Sequence, residues 1–349
     1  MAYLQIVRGR VAYLYLTNFG GVEILRAVLL VDESCFNGGD PNFASHKWPK
    51  HAVTEYSVGD ALRSLGHEVI GVPATVDVVE TIKKIQEAKP DFVFNLVEEI
   101  GGRREYDSIV VRILELMNIP YTGASPEALT LGRNKHLSKL MVADAGVPVP
   151  AGAIIYGDMK LSVADLTFPA IIKPLYLDGS DGITSESYVK DLAALQRRIP
   201  RFKRWLPLLC EEYIPGREII VTMSGTKTVT VDSICEMVFP EKSPVKFATD
   251  RAKFNAAYRK QFGIFFKTPT ELAPPMKKKV EALAKKAYRA LQINSYAKVE
   301  FRISDGRVVF IEANPNSQLS RFAKSTDFAS IGYEKFVRKI IRMALSRQP

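Results

Sequence analysis

Short apolar runs alternate with amphipathic stretches along the first third of the chain. Arg26–Asp32 (RAVLLVD) is a continuous apolar run ending in an acid, the pattern of a buried strand. Residues 54–65 space their apolar side chains as a helix does, and Gly66-His67 turns the chain into a second strand at 68–73. A helix over 78–88 stops before Pro90, a third strand covers 91–97, a helix covers 106–117 and a short strand 119–122. Strands alternating with helices predict a parallel sheet with right-handed crossovers, in a domain that ends near Gly123. Within residues 1–24 the stretch VAYLYL is β-like, and the rest of that segment has no pattern to assign.

A second segment opens with a helix over 126–145, stopped by Gly146-Val147-Pro148-Val149-Pro150. The run FPAIIKP (168–174) reads as a strand, followed by the small-residue loop Asp178-Gly179-Ser180-Asp181-Gly182. A helix over 191–198 and a strand over 208–213 complete it. The third segment carries strands at 218–223, 227–235, 297–303 and 308–313, with helices at 274–291 and 333–345. No solenoid or propeller period and no low-complexity tract occurs.

Composition narrows the class. The chain has 349 residues, 47% hydrophobic and 25% charged, values that suit two or three globular domains and exclude disordered, collagen-like and coiled-coil classes. Cys35, Cys210 and Cys235 are too few and too scattered for a disulfide framework or a zinc cluster, which fits a reducing, cytoplasmic setting. No apolar stretch approaches the roughly 18–20 residues of a membrane span, and the first ten residues lack a secretory pattern. Lys and Arg number 48 against 38 Asp and Glu, a net charge of +10 that points to an anionic partner. The densest runs, 197–204 (RRIPRFKR) and 277–286 (KKKVEALAKK), read as solvated faces ahead of nucleic-acid sites.

Three constellations carry chemistry. Residues 296–316 (YAKVEFRISDGRVVFIEANPN) read as a hairpin turning at Asp305-Gly306. Glu312 and Asn314 lie two apart and share a face, and the turn brings Glu300 near them across the ladder. Two carboxylates and an amide oxygen are hard ligands suited to Mg2+ and phosphate. Glu300 alone would pass as a solvated strand-edge acid; an acid–x–amide on an apolar strand argues for a metal. Second, Lys173 sits inside FPAIIKP, where a free ammonium is costly to bury. The loop after it, with Gly179 and Ser180, can turn backbone N–H groups toward phosphate. It does not match the P-loop pattern. Lys135 adds a cation, or else is a plain helix-surface lysine. Third, Glu211-Glu212-Tyr213-Ile214-Pro215-Gly216-Arg217-Glu218 is a strand, a Pro-Gly turn and a resumed strand. Its backbone can meet an adenine edge and Glu218 a ribose hydroxyl, or it is an ordinary connection with solvated acids.

In this order the elements resemble the ATP-grasp superfamily, specifically its D-alanine–D-alanine ligase-like branch. The resemblance runs from about Leu25 to Leu345 and is most specific in IPYTGASPEALTLGRNKHLSKLMVADAGVPVP, FPAIIKP, EEYIPGRE and YAKVEFR…FIEANPN. It implies an α/β fold of three domains: an N-terminal parallel-sheet domain (1–123), a central one (124–210) and a C-terminal one (211–349), with ATP clasped between the last two. It implies that Lys135 and Lys173 contact ATP phosphates, with Lys173 also near the adenine. Glu211 and the backbone of Glu212, Tyr213 and Ile214 would hold the adenine and Glu218 the ribose. Glu300, Glu312 and Asn314 would bind two Mg2+ ions, with Mn2+ as an alternative. Lys298 stands where relatives often carry Arg. Lys253 resembles the lysine of a mobile loop that closes over the phosphates. Glu55, before a helix, resembles the acid that meets a substrate ammonium.

The implied reaction is an ATP-dependent carboxylate–amine ligation. ATP phosphorylates a carboxylate, and an amine attacks the acyl phosphate to give an amide, ADP and phosphate. Catalysis is positioning and electrostatics, with water excluded around Lys253. No nucleophilic Ser, Cys or His is required, and His46, His51, His67 and His136 read as structural or surface residues. Two stretches depart from the D-alanine ligases. Asn95-Leu96-Val97-Glu98-Glu99 stands where they carry His-Gly, and Ser317-Gln318-Leu319-Ser320 where they carry Pro-Gly-Met-Thr. Both face the substrate, so they put D-alanine in question and leave ATP and Mg2+ in place. The substrates expected are small carboxylates and amines, such as an amino acid or small peptide. The alternatives are a D-alanine–D-alanine ligase proper and a non-catalytic nucleotide-binding module. Relatives often dimerise through the N-terminal domain, which keeps a homodimer as an option.

Overall fold

The computed structural model describes residues 4–7, 10–13, 24–36, 38–45, 49–157, 166–317, 319 and 332–347. Strands β1 (Leu4–Val7) and β2 (Arg10–Tyr13) pair as an antiparallel hairpin. The rest of the stretch without an assignment, and residues Gln318 and Ser320 of the second departure, lie outside the described residues.

The expected parallel sheet is present. Strand β3 (Arg26–Asp32) lies between β4 (Glu68–Ala74) and β5 (Phe92–Asn95), parallel to both. Its apolar run follows from burial on two faces: Ala27, Leu29 and Val31 point into one core, Val28 and Leu30 into another. Helix α1 (Val53–Ser64) covers the first face. Helices α2 (Val78–Ala88) and α3 (Asp107–Leu116) cover the second through Ile85, Val110, Val111 and Leu114. The short strand expected at 119–122 reduces to one parallel bridge, Tyr121 to Val93. The reason is local: the Thr122 hydroxyl takes the Asn95 N–H at 3.0 Å, and the chain turns away at Gly123, φ +93°.

The helix expected over 126–145 is two helices, α4 (Pro126–Arg133) and α5 (Lys135–Asp144). Asn134 between them is extended, and its Oδ1 accepts from the His136 and Leu137 N–H groups, so it caps the second helix. The pair packs on the C-terminal sheet, where Ala128, Leu129 and Val142 share a core with Phe301 and Phe310.

The central sheet is antiparallel, in the order β6 (Gly152–Ile155), β9 (Leu208–Glu212), β7 (Ala170–Pro174), β8 (Tyr188–Val189). Helix α6 (Leu192–Arg198) and residues such as Ile172, Phe202 and Cys210 close a separate core on it. The expected junction at 210/211 falls inside β9, whose register with β7 runs to Glu212. The chain leaves this sheet at the turn after Glu212.

The C-terminal sheet has five antiparallel strands: β12 (Phe265–Lys267), β11 (Thr230–Val238), β10 (Arg217–Ser224), β13 (Tyr296–Ser304) and β14 (Arg307–Asn314). The strand expected at 227–235 starts and ends three residues later. Gly225, φ +148°, lies so close to the Thr228 carbonyl that the hairpin turn takes up residues 226–229. Two short helices stand where no helix was expected, α7 (Asp250–Phe254) and α8 (Ala256–Phe262). Each is started by a side-chain cap, Thr249 accepting from Ala252 N–H and Asn255 from Tyr258 N–H.

Helix α9 (Pro274–Ala290) packs on the C-terminal sheet as expected. The last helix, α10 (Tyr333–Ser346), does not. Its Phe336, Val337, Ile340 and Ile341 join Leu29, Tyr56 and Phe92 under the N-terminal sheet. No helix among the described residues is long and apolar enough to cross a membrane.

Candidate active site

A cleft opens between the central and C-terminal sheets, with about 560 Å³ of empty space including the part open to solvent, a size that accepts a cofactor-scale ligand. Nine of the expected residues line it: Lys173, Ser180, Glu211, Glu212, Tyr213, Ile214, Glu218, Glu300 and Glu312. Lys135, Lys253, Gly179, Lys298 and Asn314 flank it through their neighbours. Glu55 does not belong to it.

The metal-side acids face each other because of a defect in the hairpin. The turn at Asp305 and Gly306, both at positive φ, pairs Ser304 with Arg307. An unbroken ladder from there would set Ile311 opposite Glu300. A bulge between Glu300 and Phe301 shifts the register by one, so Glu312 stands opposite Glu300 and Asn314 opposite Lys298. Lys253 of α7 bridges the two acids, 2.8 Å from Glu300 Oε1 and 3.6 Å from Glu312 Oε1. Lys253 itself is buried, in a short helix whose Asp250, Arg251 and Phe254 are exposed.

Electrostatics at this point are strongly coupled. Burial opposes charge on Lys253, but Glu300 and Glu312 outweigh it and hold the ammonium above the usual lysine range. Burial also opposes charge on Glu312; Lys253, Lys135, Lys173 and Lys139 outweigh it and bring its pKa to about 2. Glu300 is pushed up by burial, against the pull of Lys253. Lys135 opens α5, fully buried, with its ammonium on the Leu177 carbonyl and 3.8 Å from Glu312 Oε2. Burial lowers its pKa.

The residues expected at the adenine form a buried triad. Glu211 of β9 is ion-paired to Lys173 of β7 and, at 3.1 Å, to Lys139 of α5. Burial raises the pKa of Glu211, and the two lysines more than reverse it. Burial lowers Lys139 to about 8, with Glu211 opposing. Below this, Glu218 accepts from Arg302 Nη1 at 2.9 Å and from the Ala248 N–H at 3.1 Å. Arg302 also donates to the Ile214 and Lys246 carbonyls, so it fastens the 212–218 connection to the 246–248 segment. The connection passes the sheet at Gly216, φ +101°, where a Cβ would lie 2.1 Å from the Ile303 carbonyl oxygen; only glycine fits. Tyr213 lies edge-on to Tyr188 and Phe247 at 5.2 and 6.1 Å, an aromatic wall for a planar ligand.

The small-residue loop reaches the same cleft. Gly179, Ser180 and Gly182 all have positive φ, which turns successive N–H groups one way. Asp178 fixes the loop by accepting from Arg133 at 2.6 Å and from Arg104. Lys139, Arg302, Arg104 and Arg133 were not singled out in the sequence. Lys139 follows Lys135 by four residues on one helix face, and Arg302 follows Lys298 and Glu300 at the strand period of two. Those spacings were legible signals. Nothing local marks Arg104 or Arg133.

Glu55 lies in the first turn of α1, not before it, and belongs to a second cluster with Asp32 and Glu98 at the carboxyl ends of β3 and β5. Lys298 lies on β13 opposite Asn314 and Thr222. Asn314 Oδ1 accepts from the Asn316 N–H at 2.8 Å, leaving a second lone pair. Among the described residues no three His, Cys, Asp or Glu gather in a metal-binding arrangement. The donors at the cleft are two carboxylates and one amide, oxygen ligands that suit a divalent cation sharing phosphate oxygens. The bridging ammonium of Lys253 shows that the pair demands positive charge.

Comparison with known proteins agrees with this geometry. The chain is 29% identical over 311 residues to the uncharacterized protein y4sG of Sinorhizobium fredii, covering 86% of this chain and 89% of that one. It is 26% identical over 308 residues to a D-alanine–D-alanine ligase of Gluconobacter oxydans, covering 87% and 97%. In solved structures it is similar to D-alanine–D-alanine ligase from Bacillus anthracis complexed with ATP: TM-score 0.69, 20% identity, 92% and 97% covered. VanG D-Ala:D-Ser ligase from Enterococcus faecalis follows with TM-score 0.67, 17% identity, 92% and 100% covered. A family model described as D-ala D-ala ligase C-terminus matches residues 154–342, more than half of the chain. With that match over the sheets that form the cleft, the chain belongs to the D-Ala–D-Ala ligase C-terminal family of the ATP-grasp fold.

Proposed function

We propose that the chain activates a small-molecule carboxylate as its acyl phosphate and joins it to an amine, releasing ADP and phosphate. The coarser statement, an ATP-dependent ligase that forms C–N bonds, holds for the family to which the chain belongs. The observation that carries the reading is the convergence of Lys253, Lys135, Glu300 and Glu312 on one wall of a cleft whose other wall is Lys173 and Glu211.

Each residue then has a role that its position supports. The wall of Tyr213 and Phe247 and the backbone of Glu212, Tyr213 and Ile214 receive the adenine, with Glu211 setting the edge through its lysine pair. Glu218, oriented by Arg302, meets the ribose. Lys135, Lys173 and the N–H groups of Gly179 and Ser180 receive phosphates. Glu300, Glu312 and Asn314 hold divalent ions, two Mg2+ in this reading, with Mn2+ able to replace them. A bound ion neutralises charge on the β- and γ-phosphates, where the transferred group gathers negative charge. Lys253, paired here with both acids, would be free to meet the phosphates if a divalent ion took the acids, and α7 stands where it would help exclude water. Lys298 adds positive charge beside Asn314, without the planar fork an arginine would bring. Glu55 receives the amine substrate's ammonium. We further read the sheets as three domains, the assembly as a homodimer through the N-terminal sheet, and the location as cytoplasmic.

The second reading, a D-alanine–D-alanine ligase proper, is favoured by the 26% identical relative. The acids Glu98 and Glu99 and the Ser317 stretch weigh against it, since they line the substrate side. The test is ADP and phosphate release from Mg-ATP against single and paired L- and D-amino acids, with AMP separated. ADP release that needs one carboxylate–amine pair supports the proposal and names the class; release with D-alanine alone favours the second reading. AMP release overturns the acyl-phosphate route.

A further inference from the structure

The second acidic cluster, with Glu55 buried and Asp32 and Glu98 partly buried, gathers more negative charge than the described residues around it match. Asp32, at the end of β3, accepts at Oδ1 from the Glu98 N–H at 2.8 Å and the Glu99 N–H at 3.1 Å. Glu55, 8% exposed, hydrogen-bonds the Cys35 thiol and feels the Asp32 charge. Glu98 lies within electrostatic reach of Asp32, Glu55 and Asp178. Arg104 approaches Glu98 Oε2 only to 3.9 Å, because its guanidinium is engaged by Asp178 and, at 2.5 Å, by Asp181. Arg133 is likewise engaged by Asp107 and Asp178.

A second, independent observation concerns hydroxyl groups. Tyr296 is wholly buried and Ser317 is 4% exposed, yet among the described residues neither hydroxyl has a hydrogen-bond partner, and the Tyr333 hydroxyl has none either. A buried polar atom left without a partner costs roughly 1–3 kcal/mol. Two of the three lie near these acids. Tyr296 feels the charge of Glu98, and Tyr333 that of Tyr296 and Glu55. Ser317 follows Asn316, whose side-chain N–H donates to the Val97 carbonyl at 2.5 Å, next to Glu98. Carboxylates and hydroxyls without a described partner lie near one another here, and a ligand with several N–H donors would serve the carboxylates. The acids are too dispersed for a metal.

We propose that Asp32, Glu55 and Glu98, with the hydroxyls of Tyr296 and Ser317, bind an amine substrate that carries a second positive charge, a basic amino acid or a diamine. The inference rests on the ligase reading above and specifies its amine. Glu55 receives one ammonium, and Glu98 and Asp32 the second cationic group. Burial raises the carboxyl of Glu98 to about 8 and that of Glu55 to about 7, as expected of acids that lack a counter-charge.

The test is calorimetric titration of the full chain, first with Mg2+ and AMP-PNP, then with L- and D-lysine, ornithine, arginine, putrescine and the neutral analogue norleucine. At least one basic ligand binds tenfold or more tightly than norleucine, and Glu98→Gln removes that preference while Glu98→Asp retains part of it. Affinity for AMP-PNP shows whether each variant is folded. Equal binding of basic and neutral ligands, or binding of none with AMP-PNP affinity intact, overturns the inference and leaves the ligase reading standing. Failure to bind AMP-PNP at all overturns the ligase reading itself.

Discussion

The cleft between the antiparallel sheets and the cluster at the ends of β3 and β5 both bury carboxylates, and their surroundings treat them in opposite ways. In the cleft four acids have cations against them: Glu211 has Lys139 and Lys173, Glu218 has Arg302, and Glu300 and Glu312 share Lys253. These groups are paired and aligned before any ligand arrives. In the N-terminal cluster the acids are raised toward neutrality by burial and the hydroxyls stand unmatched. The cleft is pre-organised for a polyanion with its metal ions. The cluster is organised around a cation that the described residues do not supply.

The sharpest break of this contrast is at Glu312. Glu312→Gln leaves the fold intact but removes one negative ligand at the point where phosphate charge develops. ADP release at saturating substrates should fall by about 10²–10³-fold, the usual cost of losing one preorganised group. A rate within tenfold of the parent would remove the metal role.

Glu211→Leu tests the pairing as a matter of stability. It strands the Lys139 and Lys173 ammonium groups in a buried site, and loss of one partner of a buried pair costs about 3–5 kcal/mol. Urea unfolding at pH 7 checks it. In the parent, the contribution of Glu211 is present above the ordinary carboxylate pKa and is lost as acid lowers the pH through its depressed one.

Glu98→Gln should have the opposite sign. The folded-state pKa of Glu98, about 8, lies above its unfolded value, so the folded protein keeps a proton that the unfolded chain has released. Its cost to stability grows as pH rises from about 4.5 to 8 and is full above that. The glutamine variant should therefore be more stable than the parent at pH 9, on the order of 1 kcal/mol, and nearly equal to it at pH 5. A loss of stability at pH 9 would mean that Glu98 is already paired. The smallest effect is a reference point: Glu186→Ala removes an exposed pair with Arg201 and should leave the unfolding midpoint where it is.

Much of this was legible in the chain. Apolar runs bounded by turn residues placed β3, β5, β7 and β14 within a residue or two, because burial on both faces leaves a continuous hydrophobic signal. The acid–x–amide of Glu312 and Asn314 was visible at the strand period of two. The nearness of Glu300 to that pair across the hairpin was legible too; the exact register was not. The bulge at Ile311 that brings Glu312 opposite Glu300 has no local signature, and the Arg104 and Arg133 contacts to Asp178 span 74 and 45 positions. The break at Asn134 was overlooked because apolar spacing continues across it; only the capping side chain marks it. The packing of α4, α5 and α10 was not legible either, because tertiary contacts, not sequence proximity, place them.

The position of α10 has a consequence for how the protein is made. Its Phe336, Val337, Ile340 and Ile341 complete the core under β3 and α1, roughly 300 positions upstream. During synthesis, at about 5–20 residues per second, the parallel sheet emerges first yet keeps one face unfinished until residues 333–346 leave the ribosome. The first region translated is thus the last to close, and a nascent chain stalled before residue 333 exposes Leu29, Tyr56 and Phe92 to whatever binds apolar surface first.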